Sequence, residues 1–101
     1  MTRQDLIDNG HEDVAVFENP DFDGCIIGVT TDNQAVYSLA KMVVWFYEKN
    51  GGSASEALEF IEYNTLRALP YVENAPIVLD DLWLKRHWFY SVPFFILNSY
   101  N

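Results

Sequence analysis

A chain of 101 residues that is half hydrophobic and 16 % aromatic, with a net charge of −9, holds enough apolar material for one compact core and too much for a disordered protein. The acidity disfavours direct contact with nucleic acid or anionic lipid and favours a basic protein partner. A single cysteine, Cys25, excludes an intramolecular disulfide and a cysteine-rich zinc site built from one chain, which points to a reducing cytoplasm.

Residues 1–13 are polar apart from Leu6-Ile7, and they read as a short helix or an acidic arm closed by Asn9-Gly10. They lack the basic and then apolar pattern of a secretory signal. Eight of the fifteen carboxylates lie in residues 1–40 against one base, Arg3, so the acidity is concentrated toward the N-terminal side.

Val14-Ala15-Val16-Phe17 reads as a short strand leading into Asn19-Pro20-Asp21-Phe22-Asp23-Gly24. Asn19, Asp21, Asp23 and Gly24 match the first half of a calcium loop, but Thr30 stands where the bidentate Glu is needed. The second half of that loop coincides with Cys25–Thr30, a β-branched run of strand character. An acidic turn is therefore expected, bent at Pro20 and freed at Gly24, with no metal site. Thr31–Gln34 supplies turn residues, and Ala35-Val36-Tyr37 returns antiparallel to complete a β-hairpin.

Ser38 caps a helix predicted over Leu39 to about Lys49, with Asn50-Gly51 as its stop. Lys41, Glu48 and Lys49 are nearly all the polar face it has, so it must be covered on more than one side. Ser53-Ala54-Ser55-Glu56 matches a capping box at the start of a second helix. Ala54, Ala57, Leu58, Ile61, Thr65, Ala68 and Leu69 form one stripe of that helix, and Glu56, Glu59, Tyr63 and Arg67 point away from it. Pro70 is expected to end it at or before Leu69.

Ala75–Leu79 reads as a third strand. Beyond it, Asp80 or Asp81 caps a short helix from Leu82, or Phe94–Leu97 forms a strand. The apolar run Trp88–Leu97 is interrupted by Pro93 and too short to span a bilayer. With no repeat or linker, residues 1–101 read as a single domain: an acidic arm over 1–13, an aromatic tail over 82–101, and between them an α+β fold. Its expected form is a small antiparallel sheet in ββααβ order with two helices packed on one face.

Chemistry is sparsely signalled. There is no Gly-x-Ser-x-Gly elbow, no phosphate-binding glycine loop and no recognised context for a nucleophilic cysteine. Cys25 reads as a small buried hydrophobe. As catalytic partners for it or for a serine, His11 and His87 lack any recognised motif, and His87 has no second ligand at helical or hairpin spacing. A hydrolytic or metal site drawn from Asp23, Asp80, Asp81 and His87 is not supported by spacing. A non-enzymatic protein without cofactor or metal is expected.

The most distinctive stretch is Glu59–Tyr71, EFIEYNTLRALPY. In one reading Asn64 and Thr65 satisfy backbone groups near the helix end and Arg67 pairs with an acidic neighbour. In the other, Tyr63, Arg67 and Tyr71 form an exposed anchor cluster of residue types enriched at interface hot spots. The segment Ile26–Leu79, with IIGVTTDNQAVY, EALEFIEYNTLRALPY and APIVL, resembles a family of small proteins encoded by bacteria, their phages and mobile elements. That resemblance covers about half of the chain and implies no activity, cofactor or catalytic residue. What it implies is context, an accessory protein of a phage or mobile element.

Two functional expectations follow. The first is a protein-binding inhibitor whose carboxylates imitate a phosphate track and occupy the basic nucleic-acid groove of a host defence nuclease, in the manner of anti-CRISPR and anti-restriction proteins. Its contact residues would be Asp21, Asp23, Asp32, Glu56, Glu59 and Glu62, with Tyr63 as an aromatic anchor and Arg67 beside it. The second is an oligomeric structural or adaptor module, in which Trp83, Trp88, Phe89, Tyr90, Phe94 and Phe95 form the interface of a homo-oligomer.

Overall fold

A computed structural model describes residues 1–82. The tail residues proposed as an oligomer interface, Trp83, Trp88, Phe89, Tyr90, Phe94 and Phe95, lie outside the described residues, as do His87 and the two alternatives for the tail.

The N-terminal segment is ordered by its own side chains. Thr2 and Asp5 form a reciprocal capping box that opens helix α1, Arg3–Asp8. The Thr2 amide, donating at 2.8 Å, holds the Asp5 carboxyl below its usual value. Leu6 enters the core from this helix at 1 % exposure, while the Arg3 amide donates to Asp23 at 2.7 Å. Of the two readings of this arm, the helix is the one adopted.

Val14–Phe17 is not a strand. Val14 is buried and Phe17 packs edge to face on Phe22, but the Phe17 amide donates to the Tyr37 hydroxyl at 3.1 Å instead of to a ladder. A side chain thus satisfies the backbone group that strand pairing would have used.

Strands β1 (Ile26–Val29) and β2 (Ala35–Ser38) form the expected antiparallel hairpin. Its turn places Asn33 at φ 64, in the left-handed region that Asn tolerates. Asn33 also ties the turn to the N-terminal segment, meeting His11 Nδ1 and Asp13 at 3.2 Å each. A bulge between Ile26 and Gly28 shifts the register.

Helix α2, Leu39–Asn50, follows β2 without a loop, and Ser38 Oγ accepts from the Lys41 amide at 3.1 Å as the sequence predicts. Gly51, at φ 73, receives the chain as it leaves the helix. Helix α3, Ala54–Phe60, opens on Ser53, whose hydroxyl accepts from the Glu56 amide, but the described bonds include no return bond from the Ser53 amide to the Glu56 carboxylate, so only half of the expected capping box forms. The Glu56 carboxylate lies over Gly52, close enough that a Cβ there would come within 2.8 Å.

The second helix does not continue regularly to Leu69. At Ile61 it widens into a π-helical turn, Ile61–Thr65, in which the Leu66 amide reaches back five residues to Ile61 O. It then tightens into a 3-10 helix over Leu66–Tyr71 that contains Pro70, so the proline does not end it. These changes of pitch break the predicted stripe: Ala57, Ile61 and Thr65 are buried, but Ala68 is exposed.

Strand β3, Ile77–Leu79, pairs with β2 in parallel, giving the order β1-β2-β3. The α+β class and the ββααβ order are those read from the sequence, but the sheet is mixed instead of wholly antiparallel. The crossover through α2 and α3 returns the chain to the end where β2 began, which is what a parallel neighbour requires. The core joins Leu6, Phe22, Ile26 and Tyr37 to Leu39, Met42, Val43, Ala57 and Ile61. No helix among the described residues is long and apolar enough to cross a membrane.

Candidate interaction face

The acidic turn is built for structure. Phe22, at φ 48, is fully buried and packs on Trp45 with ring centroids 5.0 Å apart. On either side of it, Asp21 accepts from the Asp23 amide at 3.1 Å and Asp23 accepts from Arg3. Asp21 therefore orders this turn, and Asp23 holds α1 against it. Among the described residues, no group of three or more His, Cys, Asp or Glu is placed to hold a metal ion.

The buried ionisable groups are equally structural. Burial pushes the Cys25 thiol up to about 11, so it stays protonated at neutral pH. Burial also raises the Tyr37 phenol, against the lowering effect of the Phe17 amide that donates to it. Asp81 is buried at 9 % exposure, and its two oxygens accept from Ser38 Oγ and from the Ala40 amide. It caps α2 from the far end of β3, where the sequence suggested a cap for a helix from Leu82. Asp80 takes that local position, accepting from the Leu82 amide at 3.2 Å.

Asp32 apart, these contacts divide the carboxylates by side-chain length. Among the described residues, Asp5, Asp8, Asp13, Asp21, Asp23, Asp80 and Asp81 accept hydrogen bonds, whereas the described bonds involve none of the glutamate side chains. The short aspartate side chain reaches nearby backbone and turn groups; the longer glutamate extends past them.

Two of those glutamates, Glu56 and Glu59, line an open depression on α3 with Phe60, Tyr63 and Asn64. A second depression runs between the acidic turn and the C-terminal half of α2, lined by Glu18, Asp21, Trp45, Phe46, Lys49 and Phe60 among others. Phe60 belongs to both, stacked on Phe46 at 4.4 Å. A third, apolar cleft between Ala15–Pro20 and the segment Thr65–Val72 shares Asn64 with the first and Glu18 with the second. The three form one connected relief with aromatic rings in it and carboxylates at its rim.

The candidate contact residues fall in different places. Glu56, Glu59, Tyr63 and Asp21 line this relief. Tyr63 is 67 % exposed, and the Arg67 guanidinium lies 4.7 Å over its ring, where the sequence reading offered an acidic partner. Tyr71 is 90 % exposed. Asn64 Nδ2 donates to Phe60 O at 3.0 Å, as a residue serving the helix backbone would. Glu62 is exposed but lines none of the three depressions, Asp32 sits in the β1-β2 turn, and Asp23 is engaged with α1.

Glu18, Trp45, Phe46, Lys49 and Phe60 belong to the face but were not singled out from the sequence. The missed signal was the run of aromatic residues in the second half of α2, Trp45-Phe46-Tyr47, followed by the polar Glu48 and Lys49. Comparison with protein-family models, with curated proteins and with solved structures finds no match to this chain.

Proposed function

We propose that this chain is a protein-binding protein whose acidic, aromatic face occupies a basic surface of another protein, of the kind that otherwise holds nucleic acid. A nuclease of a host defence system is the partner class that fits the sequence context. The observation that carries the reading is the gathering of Glu18, Glu56 and Glu59, absent from the described hydrogen bonds, around Trp45, Phe46, Phe60 and Tyr63. Carboxylates not engaged by the fold keep their charge for a partner, and aromatic rings supply the contact area that charge alone lacks.

The aspartates contribute less to this surface than composition suggests. Asp21 orders the turn and Asp23 holds α1, so phosphate imitation rests mainly on the glutamates. Capture of partners from a bacterial lysate by the tagged full chain, at low and at high salt, tests the reading. Recovery of a basic nuclease or nucleic-acid-binding complex at low salt alone supports it. Recovery of only the chain itself at both salts contradicts it.

A second reading, self-association, is favoured by an apolar patch on one face of the sheet. Ile77 and Leu79 share one side of β3 at 37 % and 49 % exposure, with Val36 in register beside Ile77 and Ile27 at 42 % on β1. Sedimentation at high salt distinguishes this contact, since an apolar interface persists where an electrostatic one dissociates.

A further inference from the structure

The face described above already holds cations. Residues 1–82 contain four lysines and arginines, and two of them rest on aromatic rings of this face. Lys49 Nζ lies 4.8 Å from the centre of the Trp45 ring, and the Arg67 guanidinium lies 4.7 Å from that of Tyr63. Both distances fall within the range in which a ring quadrupole attracts a cation. Around the rings stand Glu18 and Asp21 on one side and Glu56 and Glu59 on the other.

We infer that the Trp45 and Tyr63 rings are receptor positions for lysine or arginine side chains of the partner, and that Lys49 and Arg67 hold those positions in the free protein as internal competitors. This rests on the reading of the face as the partner-binding surface and adds how the partner is read, by rings as well as by charge. Both competitors are exposed side chains: Lys49 in the last turn of α2, and Arg67 in the 3-10 helix that follows the π-helical turn. A partner cation displaces each one by taking its ring and its carboxylate neighbours together. The displaced side chain loses only a solvent-exposed contact.

A purely structural role makes a different prediction. Lys49 at a helix C-terminus complements the helix dipole, so its removal would lower stability without altering affinity beyond the charge change. Lys41, exposed on the same helix but outside the depressions, provides the control for charge.

The test is isothermal titration of the full chain with nona-arginine at moderate salt, using Lys49→Gln, Arg67→Gln and Lys41→Gln. The inference predicts binding about threefold tighter for Lys49→Gln and for Arg67→Gln than for Lys41→Gln. It also predicts that the gain from Arg67→Gln disappears when Tyr63 is replaced by Leu. Equal tightening in all three single variants would overturn it. Failure of nona-arginine to bind, or undiminished binding after Glu18, Glu56 and Glu59 are changed together to Gln, would instead overturn the underlying reading of the face.

Discussion

The two ends of α2 show opposite uses of acidity. At its start a buried carboxylate, Asp81, closes the helix from across the sheet, with both oxygens bonded. At its far end, Glu18, Glu56 and Glu59 rim an open aromatic relief. The net charge of −9 is therefore not one property. Part of it holds the fold, and part of it faces outward.

The largest expected effect concerns the first use. Phe22→Ala removes a fully buried ring from the acidic turn and should destabilise by about 3–5 kcal/mol. Asp21→Asn in the same turn should cost less than about 1 kcal/mol, since the amide oxygen still accepts from Asp23. Urea denaturation of both variants measures the difference. Similar losses would mean that the turn is held by its charges and not by its phenylalanine.

Asp81→Ala comes next, at about 2–3 kcal/mol, because it leaves the Ala40 amide and the Ser38 hydroxyl without their buried acceptor. Glu56→Gln and Glu59→Gln should each stay within about 0.5 kcal/mol of the parent, as exposed substitutions usually do. If the glutamate variants were as damaging as Asp81→Ala, the division between structural and outward-facing carboxylates would fail.

A smaller effect appears at alkaline pH. The Cys25 thiol is raised from 9.0 to about 11 in the fold, and Tyr37 is raised as well. The folded state then binds more protons than the unfolded state, so stability is fully present below pH 9 and falls as pH rises from there through about 11. Denaturation midpoints between pH 8 and pH 11 should decrease, and Cys25→Ala should show a shallower decrease. A rising midpoint over that range would contradict the burial of both groups.

Local chemistry was legible in the sequence. Ser38 and Ser53 each announce a helix start within three residues, and the β1-β2 hairpin follows from one β-branched run, four turn residues and a returning strand. Glu56, Glu59 and Tyr63 were readable as an outward face because helical spacing alone places them there. The Thr2-Asp5 box was equally local and was overlooked, since only Ser53–Glu56 was recognised as this pattern.

What the sequence did not disclose depended on distant parts of the chain. Asp81 caps a helix that begins about forty residues earlier, and no local pattern relates the two. The direction of β3 was set by the crossover, which strand propensity does not encode. The π-helical turn at Ile61 violated the constant period on which the stripe through Ala68 was drawn. Trp45 and Phe46 belonged to a helix expected to be covered on more than one side, and Phe60 lay off the predicted stripe; only the packing of α2 against α3 and the acidic turn leaves all three lining a surface.

The most direct test of the outward-facing group is partner capture from a bacterial lysate with two variants of equal charge. One changes Glu18, Glu56 and Glu59 to Gln; the other changes Glu12 and Glu73 to Gln and Asp32 to Asn, all exposed and outside the relief. The first variant should lose the basic partner recovered by the parent chain, and the second should retain it. Equal loss in both variants would show that overall charge, and not this face, is what the partner recognises.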